Sequence, residues 1–241
     1  MQDVQVKVSA YDAAAFDSVL EHEAGSGAAP RQAVVRRIHG RPGYAFSKRC
    51  FDLVFGMLLL VGSLPLWLLA AVLIRLSSRG PVVYGQIRIG KDGEPFTCYK
   101  FRTMIEGAHE QRHELLCQNQ MDGPVFKTPD DPRVTRVGRW LRKASIDELP
   151  QFINVLRGEM SIVGPRPQSP EEVERYGPLD WGRLAVKPGM TCIWQVSGRC
   201  LVGETARMQM DLEYVRRAGF LFDCGLVLRT VPAVISARGA Y

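Results

Sequence analysis

Two adjacent carboxylates, Asp147 and Glu148, lie in the run Lys143-Ala144-Ser145-Ile146-Asp147-Glu148-Leu149-Pro150-Gln151, directly after a stretch rich in cations. Carboxylates set among cations can hold a metal ion or work on a phosphorylated substrate. A plainer reading fits them equally well. Ser145-x-x-Glu148 matches a capping box, in which the hydroxyl takes a backbone N–H and the glutamate reaches back to the cap. Acidic side chains in a first helical turn also gain about 0.3–1 kcal/mol from the macrodipole. Pro150 disturbs that picture, because proline is best tolerated at the first helical position. The helix could therefore begin near Leu149 instead.

Other cations could serve the same pair. Lys100 and Arg102 alternate in Tyr99-Lys100-Phe101-Arg102-Thr103-Met104, so on a strand they share a face. That face is either a solvated edge or the wall of a phosphate pocket. Arg133, Arg136, Arg139, Arg142 and Lys143 form a basic amphipathic run just ahead of Asp147. Arg166 stands between Pro165 and Pro167, which restrict the backbone on both sides of it. It is either a cation fixed in place or part of an exposed turn. His109 and His113 have a four-residue spacing that could bind metal, but no third ligand stands out and a solvated helix face fits better. The six cysteines are scattered without a Cys-x-x-Cys pair, which argues against a zinc site or a disulfide framework. A net charge of +6 favours an anionic partner: nucleic acid, phosphorylated substrate or anionic membrane.

The elements that would position these groups follow from patterning. Residues 1–44 read as an accessory extension: a short helix at Ala13 to Glu23, a linker at Gly25 to Pro30, and a basic stretch from Arg31 to Arg41. No cleavable signal opens the chain, since its first residues are mixed and acidic. Residues 45–80 hold an uncharged run from Leu53 to Ile74, long enough to span a bilayer. Lys48 and Arg49 precede it, while Arg75 and Arg79 follow, so the cations do not favour one side as they would around a simple span. Gly62, Ser63 and Pro65 break it in the middle, where proline opens the helical ladder. Each half would be roughly 17 Å of helix, about half the hydrocarbon thickness. A re-entrant hairpin with both ends on the cytoplasmic face accounts for all of this; a straight span and a buried core helix are the alternatives.

Residues 81–241 read as a cytoplasmic catalytic domain. Gly80 to Gly90 and Pro95 to Met104 read as strands joined at Lys91-Asp92-Gly93, a β-hairpin signal. Leu149 to Leu156 follows helical spacing, Glu171 to Tyr176 and Thr205 to Arg217 read as helices, and Val186 to Arg199 as a turn plus an apolar strand. Phe220 to Ile235 is apolar enough to lie in a membrane interface. The expected class is α+β: a mainly helical monotopic membrane protein with a re-entrant hairpin, a small β-hairpin and amphipathic interfacial helices.

Taken together and in order, these stretches resemble the bacterial sugar transferase family, the monotopic phosphoglycosyl transferases that act on polyprenyl phosphate. The likeness runs from about Lys48 to Tyr241. It rests on Lys48-Arg49-Cys50-Phe51-Asp52 with the broken apolar segment, Gln86-Ile87-Arg88-Ile89-Gly90, Tyr99 to Met104, and Asp131-Pro132-Arg133-Val134-Thr135. It continues through Ser145 to Gln151, Gly164-Pro165-Arg166-Pro167 and Lys187-Pro188-Gly189-Met190-Thr191. The chain departs from the pattern at Cys192, where relatives commonly carry glycine, so no sugar-binding role is assigned to that loop.

The resemblance implies that a UDP-hexose gives its hexose-1-phosphate to undecaprenyl phosphate and leaves UMP, at the cytoplasmic face of the bacterial inner membrane. It implies Asp147 as a nucleophile that forms a covalent phosphosugar–aspartyl intermediate. It further implies Mg²⁺ held by Asp147 and Glu148, with Lys100, Arg142 and Arg166 as phosphate contacts. Glucose or galactose is the family-level expectation for the sugar, and a homodimer is compatible with a membrane-surface enzyme. The rival reading is a membrane-anchored basic scaffold for anionic lipid or nucleic acid. It rests on net charge alone, and the aromatic-plus-basic pattern of RNA-binding modules is missing, so no nucleic-acid partner is expected.

Overall fold

The computed structural model describes residues 42–108, 131–177, 179–198 and 202–236. The expected helix at Ala13 to Glu23, the linker and basic stretch after it, His109, His113, Arg199 and the tail from Arg238 lie outside the described residues.

Two helices open the described chain, α1 (Pro42–Gly62) and α2 (Leu64–Ser77). Their axes bend by 55° at Ser63. Pro65 has no N–H to offer the carbonyl four residues back, and the Ser63 hydroxyl donates to the Leu60 carbonyl at 3.0 Å. Both effects bend helices. The break therefore falls at Ser63 and Pro65, as their sequence positions imply. α1 is longer than expected, because it runs straight through Lys48 and Arg49. These two cations do not flank the helix; they are spent inside the fold. Lys48 Nζ meets Asp223 at 2.7 Å and the Val163 carbonyl at 3.0 Å. Arg49 donates to the Val155 and Leu156 carbonyls at 2.8 and 2.9 Å. Asp52 is buried and accepts from Ser161 Oγ and the Ile162 N–H.

Strands β1 (Val83–Ile89) and β2 (Pro95–Phe101) form an antiparallel hairpin with Tyr84 opposite Lys100. Its turn places Asp92 at φ 58° and Gly93 at φ 86°, the left-handed conformations that Asp-Gly supplies cheaply. Then come α3 (Arg136–Lys143), a one-turn 3₁₀ helix (Ile146–Glu148), α4 (Gln151–Arg157) and β3 (Ser161–Val163). α5 (Pro170–Val173) and a 3₁₀ helix (Asp180–Ala185) lead to β4 (Gly189–Thr191), which pairs in parallel with β3. The chain continues with α6 (Ile193–Ser197), α7 (Glu204–Arg217) and α8 (Phe220–Ser236). The apolar strand expected within Val186 to Arg199 is thus only three residues long; from Ile193 the chain turns helical and packs Trp194 inward. The described part is α+β and mostly helical, with a small β-hairpin.

One apolar core joins Phe96 and Cys98 of β2 to Phe152 and Val155 of α4, Ile162 and Val163 of β3, Tyr214 of α7 and Leu226 of α8. Phe51 and Leu60 of α1 pack against it. A second cluster sets Ala70 and Ile74 of α2 on Phe101 and Leu141. Fully burying a side chain such as Ile74 or Leu141 is worth roughly 1.5–3 kcal/mol, so both arms of the bent pair are anchored to the same body. Between these anchors the helices expose Met57, Leu58, Val61, Leu64 and Leu68, the last 70% exposed.

Candidate active site

The site is built where α3 crosses the end of β2. Thr135 caps α3 by accepting from the Gly138 N–H at 2.9 Å. Gly138 lies so close to Thr103 that a Cβ added there would sit 2.0 Å from the Thr103 carbonyl oxygen. This contact brings the last turn of α3 beside the strand, and Arg142 Nε donates to Thr103 Oγ1 at 2.9 Å. The chain then reverses at Ser145, which takes φ 57° and ψ 18° and makes no side-chain capping bond. The capping box read at Ser145 and Glu148 is therefore not formed. An N-cap needs extended backbone, and Ser145 is left-handed. The box forms instead at Ser169 and Glu172, and α4 starts after Pro150, close to the later of the two expected positions.

The reversal places Asp147 and Glu148 on a single tight turn facing three cations. Glu148 is gripped by Arg166, whose two terminal nitrogens reach its two carboxylate oxygens. Lys100 Nζ adds a contact at 3.3 Å. Asp147 is buried, and no described residue donates a hydrogen bond to its carboxylate. Its neighbours act on it through charge: Glu148 unfavourably, Lys100, Arg142 and Arg166 favourably. Burial, and next the Glu148 charge, push Asp147 up to about 6. Burial works on Glu148 in the same direction, but Arg166 and Lys100 overcome it and hold Glu148 well below the usual carboxylate range. The two carboxylates thus differ in kind. Glu148 is a fixed, ion-paired anion, while Asp147 is an uncommitted one.

Lys100, Arg142 and Arg166 come together with the carboxylate pair, and Arg102 does not. The strand ends at Phe101, so the alternation that would align Arg102 with Lys100 stops there. Arg102 turns back to the end of α2, donating to the Ser78 carbonyl and hydroxyl at 2.8 and 3.1 Å. It packs over Gly80, whose φ of +109° and missing side chain leave room for the guanidinium. Thr103 and the buried pair Arg183 and Asp211 behind Arg166 also belong to the site. Nothing in their local spacing marks them; they meet the site only through tertiary packing. Cys192 is fully buried and donates its thiol hydrogen to Gln195 at 3.0 Å, a packing role.

The donor set can be tested against a magnesium ion. Mg²⁺ typically takes one or two carboxylates and completes its octahedron with water and substrate phosphate. Asp147, with open oxygens, fits that pattern, and Glu148 could join it only through the lone pairs that Arg166 and Lys100 leave unused. Among the described residues no group of three His, Cys, Asp or Glu side chains forms an all-protein cage, so such an ion would have to be shared with a phosphorylated ligand.

Comparison with known proteins agrees in kind. The family model described as bacterial sugar transferase matches residues 43–237. The chain is similar to the exopolysaccharide production protein ExoY of Sinorhizobium fredii, 43% identical over 205 residues that cover 83% of this chain and 91% of that one. It is 41% identical over 201 residues to the undecaprenyl-phosphate galactose phosphotransferase of Salmonella typhimurium, covering 81% of this chain and 42% of that protein. It is also 41% identical over 204 residues to the UDP-glucose:undecaprenyl-phosphate glucose-1-phosphate transferase of Escherichia coli, covering 80% of this chain and 41% of that protein.

Proposed function

Because this chain belongs to the bacterial sugar transferase family, we propose that it moves hexose-1-phosphate from a UDP-hexose to undecaprenyl phosphate, the opening membrane step of exopolysaccharide or related glycan synthesis. It is a phosphoglycosyl transferase, and the scaffold alternative falls away. The observation that carries the mechanism is the division of labour between the carboxylates: Asp147 buried and uncommitted, Glu148 locked to Arg166 and Lys100.

An oxygen of Asp147 attacks the sugar-side phosphorus of the UDP-hexose. As that phosphorus–oxygen bond forms, the bond to the bridging oxygen breaks and UMP leaves with the electron pair. The phosphate of undecaprenyl phosphate then attacks the same phosphorus, releasing the Asp147 carboxylate and completing a diphosphate-linked lipid sugar. Splitting the transfer in two spares the two phosphorylated substrates a direct encounter between like charges. Lys100, Arg142 and Arg166 lie where charge develops on the transferred group, preorganised by their contacts with Glu148 and Thr103. A magnesium ion held by Asp147 and Glu148 would supply further charge neutralisation on the diphosphate.

The bent pair α1–α2 is read as a re-entrant membrane arm. Both of its ends return to one body through the two apolar clusters, while the apex between them is exposed and apolar. α8 adds exposed Leu221, Leu228, Val231 and Ile235, suited to the interface. On this reading residues 45–80 are the membrane arm and residues 81–241 a catalytic domain at the cytoplasmic face of the inner membrane.

The test is UMP release from a panel of UDP-hexoses by the detergent-purified protein with Mg²⁺ and undecaprenyl phosphate. Asp147→Asn should lower the rate by about a thousandfold or more and abolish labelling of the protein by sugar-phosphate donor. UMP release by that variant at the wild-type rate would sink the covalent mechanism.

A further inference from the structure

The backbone that carries Arg166 is held almost carbonyl by carbonyl. The Val163 carbonyl accepts from Lys48 Nζ and from Tyr214 OH, each at 3.0 Å. The Pro165 carbonyl accepts from the Gly189 N–H at 2.8 Å, and that of Gln168 from the Ile89 N–H at 2.9 Å. Arg88 reaches the Pro167 carbonyl at 3.5 Å. The carbonyl of Arg166 itself accepts from a buried guanidinium, Arg183, at 2.9 Å. Arg183 is only 2% exposed and is braced by the equally buried carboxylate of Asp211 on α7. It also donates to the Tyr176 hydroxyl at 2.8 Å, which in turn donates to the Gln168 side chain.

A buried ion pair is a poor source of stability, since well-packed apolar residues often serve as well or better. The value of this one lies in what it aims. The side chain of Arg166 points to Glu148, its main chain to Arg183, and the flanking prolines leave little freedom between the two. We infer that Arg183, braced by Asp211, is a positioning residue of the transfer reaction, fixing the main chain at Arg166 so that the Arg166 guanidinium meets Glu148 and the phosphates beside Asp147. Arg183 touches no reacting atom; its effect passes through Arg166. The inference rests on the reading of Arg166 as a phosphate-side cation.

A double-mutant cycle separates the two. Arg183→Lys keeps the charge opposite Asp211 but loses the planar fork that serves Asp211, Tyr176 and the Arg166 carbonyl at once. The expected result is a fall of about tenfold in kcat for UMP release with the donor KM within about twofold of wild type. In an Arg166→Ala background the same substitution should change the rate by less than about twofold, because the residue it positions is gone. Thermal unfolding is followed for each variant, and if Arg183→Lys does not fold, Asp211→Asn, which removes the brace while keeping its shape, runs through the same cycle. Effects that multiply in full in the double variant overturn the positioning role and leave the transferase reading intact. An Arg166→Ala protein that transfers at the wild-type rate overturns both.

Discussion

Asp147 carries a charge in a place that resists it, and this conflict has a measurable consequence for stability. Its carboxyl is raised to about 6 by burial and by Glu148, against an ordinary value of 3.8. Because the folded-state value lies above the unfolded one, the native state holds its proton more tightly. The stability this gives is complete below about pH 4 and lost as pH rises through about 6. At pH 7.5 the native protein therefore bears the whole cost of an ionised Asp147. Asparagine has the same shape without the charge, so Asp147→Asn should melt higher than wild type at pH 7.5 in EDTA, by roughly 2–4 °C or more. The gap should close near pH 4. Equal melting temperatures at both pH values would mean that Asp147 is not strained. Such a strained carboxylate is what the proposed nucleophile would be, a group held at the expense of stability. The residue types involved, two carboxylates among cations, are visible in the chain alone. The left-handed Ser145 that turns them toward those cations is not, because Ser-x-x-Glu spells a cap unless the backbone there is known.

At the scale of elements, the site depends on how closely α3 approaches the end of β2. Gly138 is the contact point: a methyl group there would meet the Thr103 carbonyl oxygen at 2.0 Å, and backbone cannot move aside as a flexible side chain can. Gly138→Ala should push α3 outward, costing about 1–3 kcal/mol in stability. It should also separate Arg142 from Thr103, so transfer should fall by about tenfold or more, beyond what partial unfolding at the assay temperature explains. Thermal melts beside UMP release on the same preparation make the comparison; a variant that is stable and fully active would show that the approach is not needed. Element types were largely legible, since the hairpin turn at Asp92-Gly93, the amphipathic α3 and the helical spacing after Leu149 all follow local rules. What local rules miss is where an element stops. Alternation pairs Arg102 with Lys100 only while β2 continues, and the strand ends one residue before Arg102.

For the whole molecule, the proposed transfer requires a phosphate site to meet a lipid phosphate, and the bent pair α1–α2 would allow it only if both of its ends stay on one side of the bilayer. The uncharged run and the break at Ser63 and Pro65 were plain in the chain, but a straight span and a re-entrant arm share that composition. What favours the proposed re-entrant arm is tertiary. Lys48 reaches Asp223 of α8, and Tyr44 does so at 2.9 Å, while at the far end Ala70 and Ile74 of α2 lie in the same body under Phe101 and Leu141. Single-cysteine proteins in sealed inside-out vesicles put this to the test. The native Cys50, exposed on α1, and a cysteine from Arg79→Cys just beyond α2 should both react with a membrane-impermeant maleimide from the cytoplasmic side. A cysteine from Leu64→Cys at the apex should react from neither side, since the arm reaches only about halfway through the hydrocarbon. Labelling of the Arg79→Cys site solely from the opposite face would make α1–α2 a true span, and with it the catalytic body would lose its place beside the lipid phosphate.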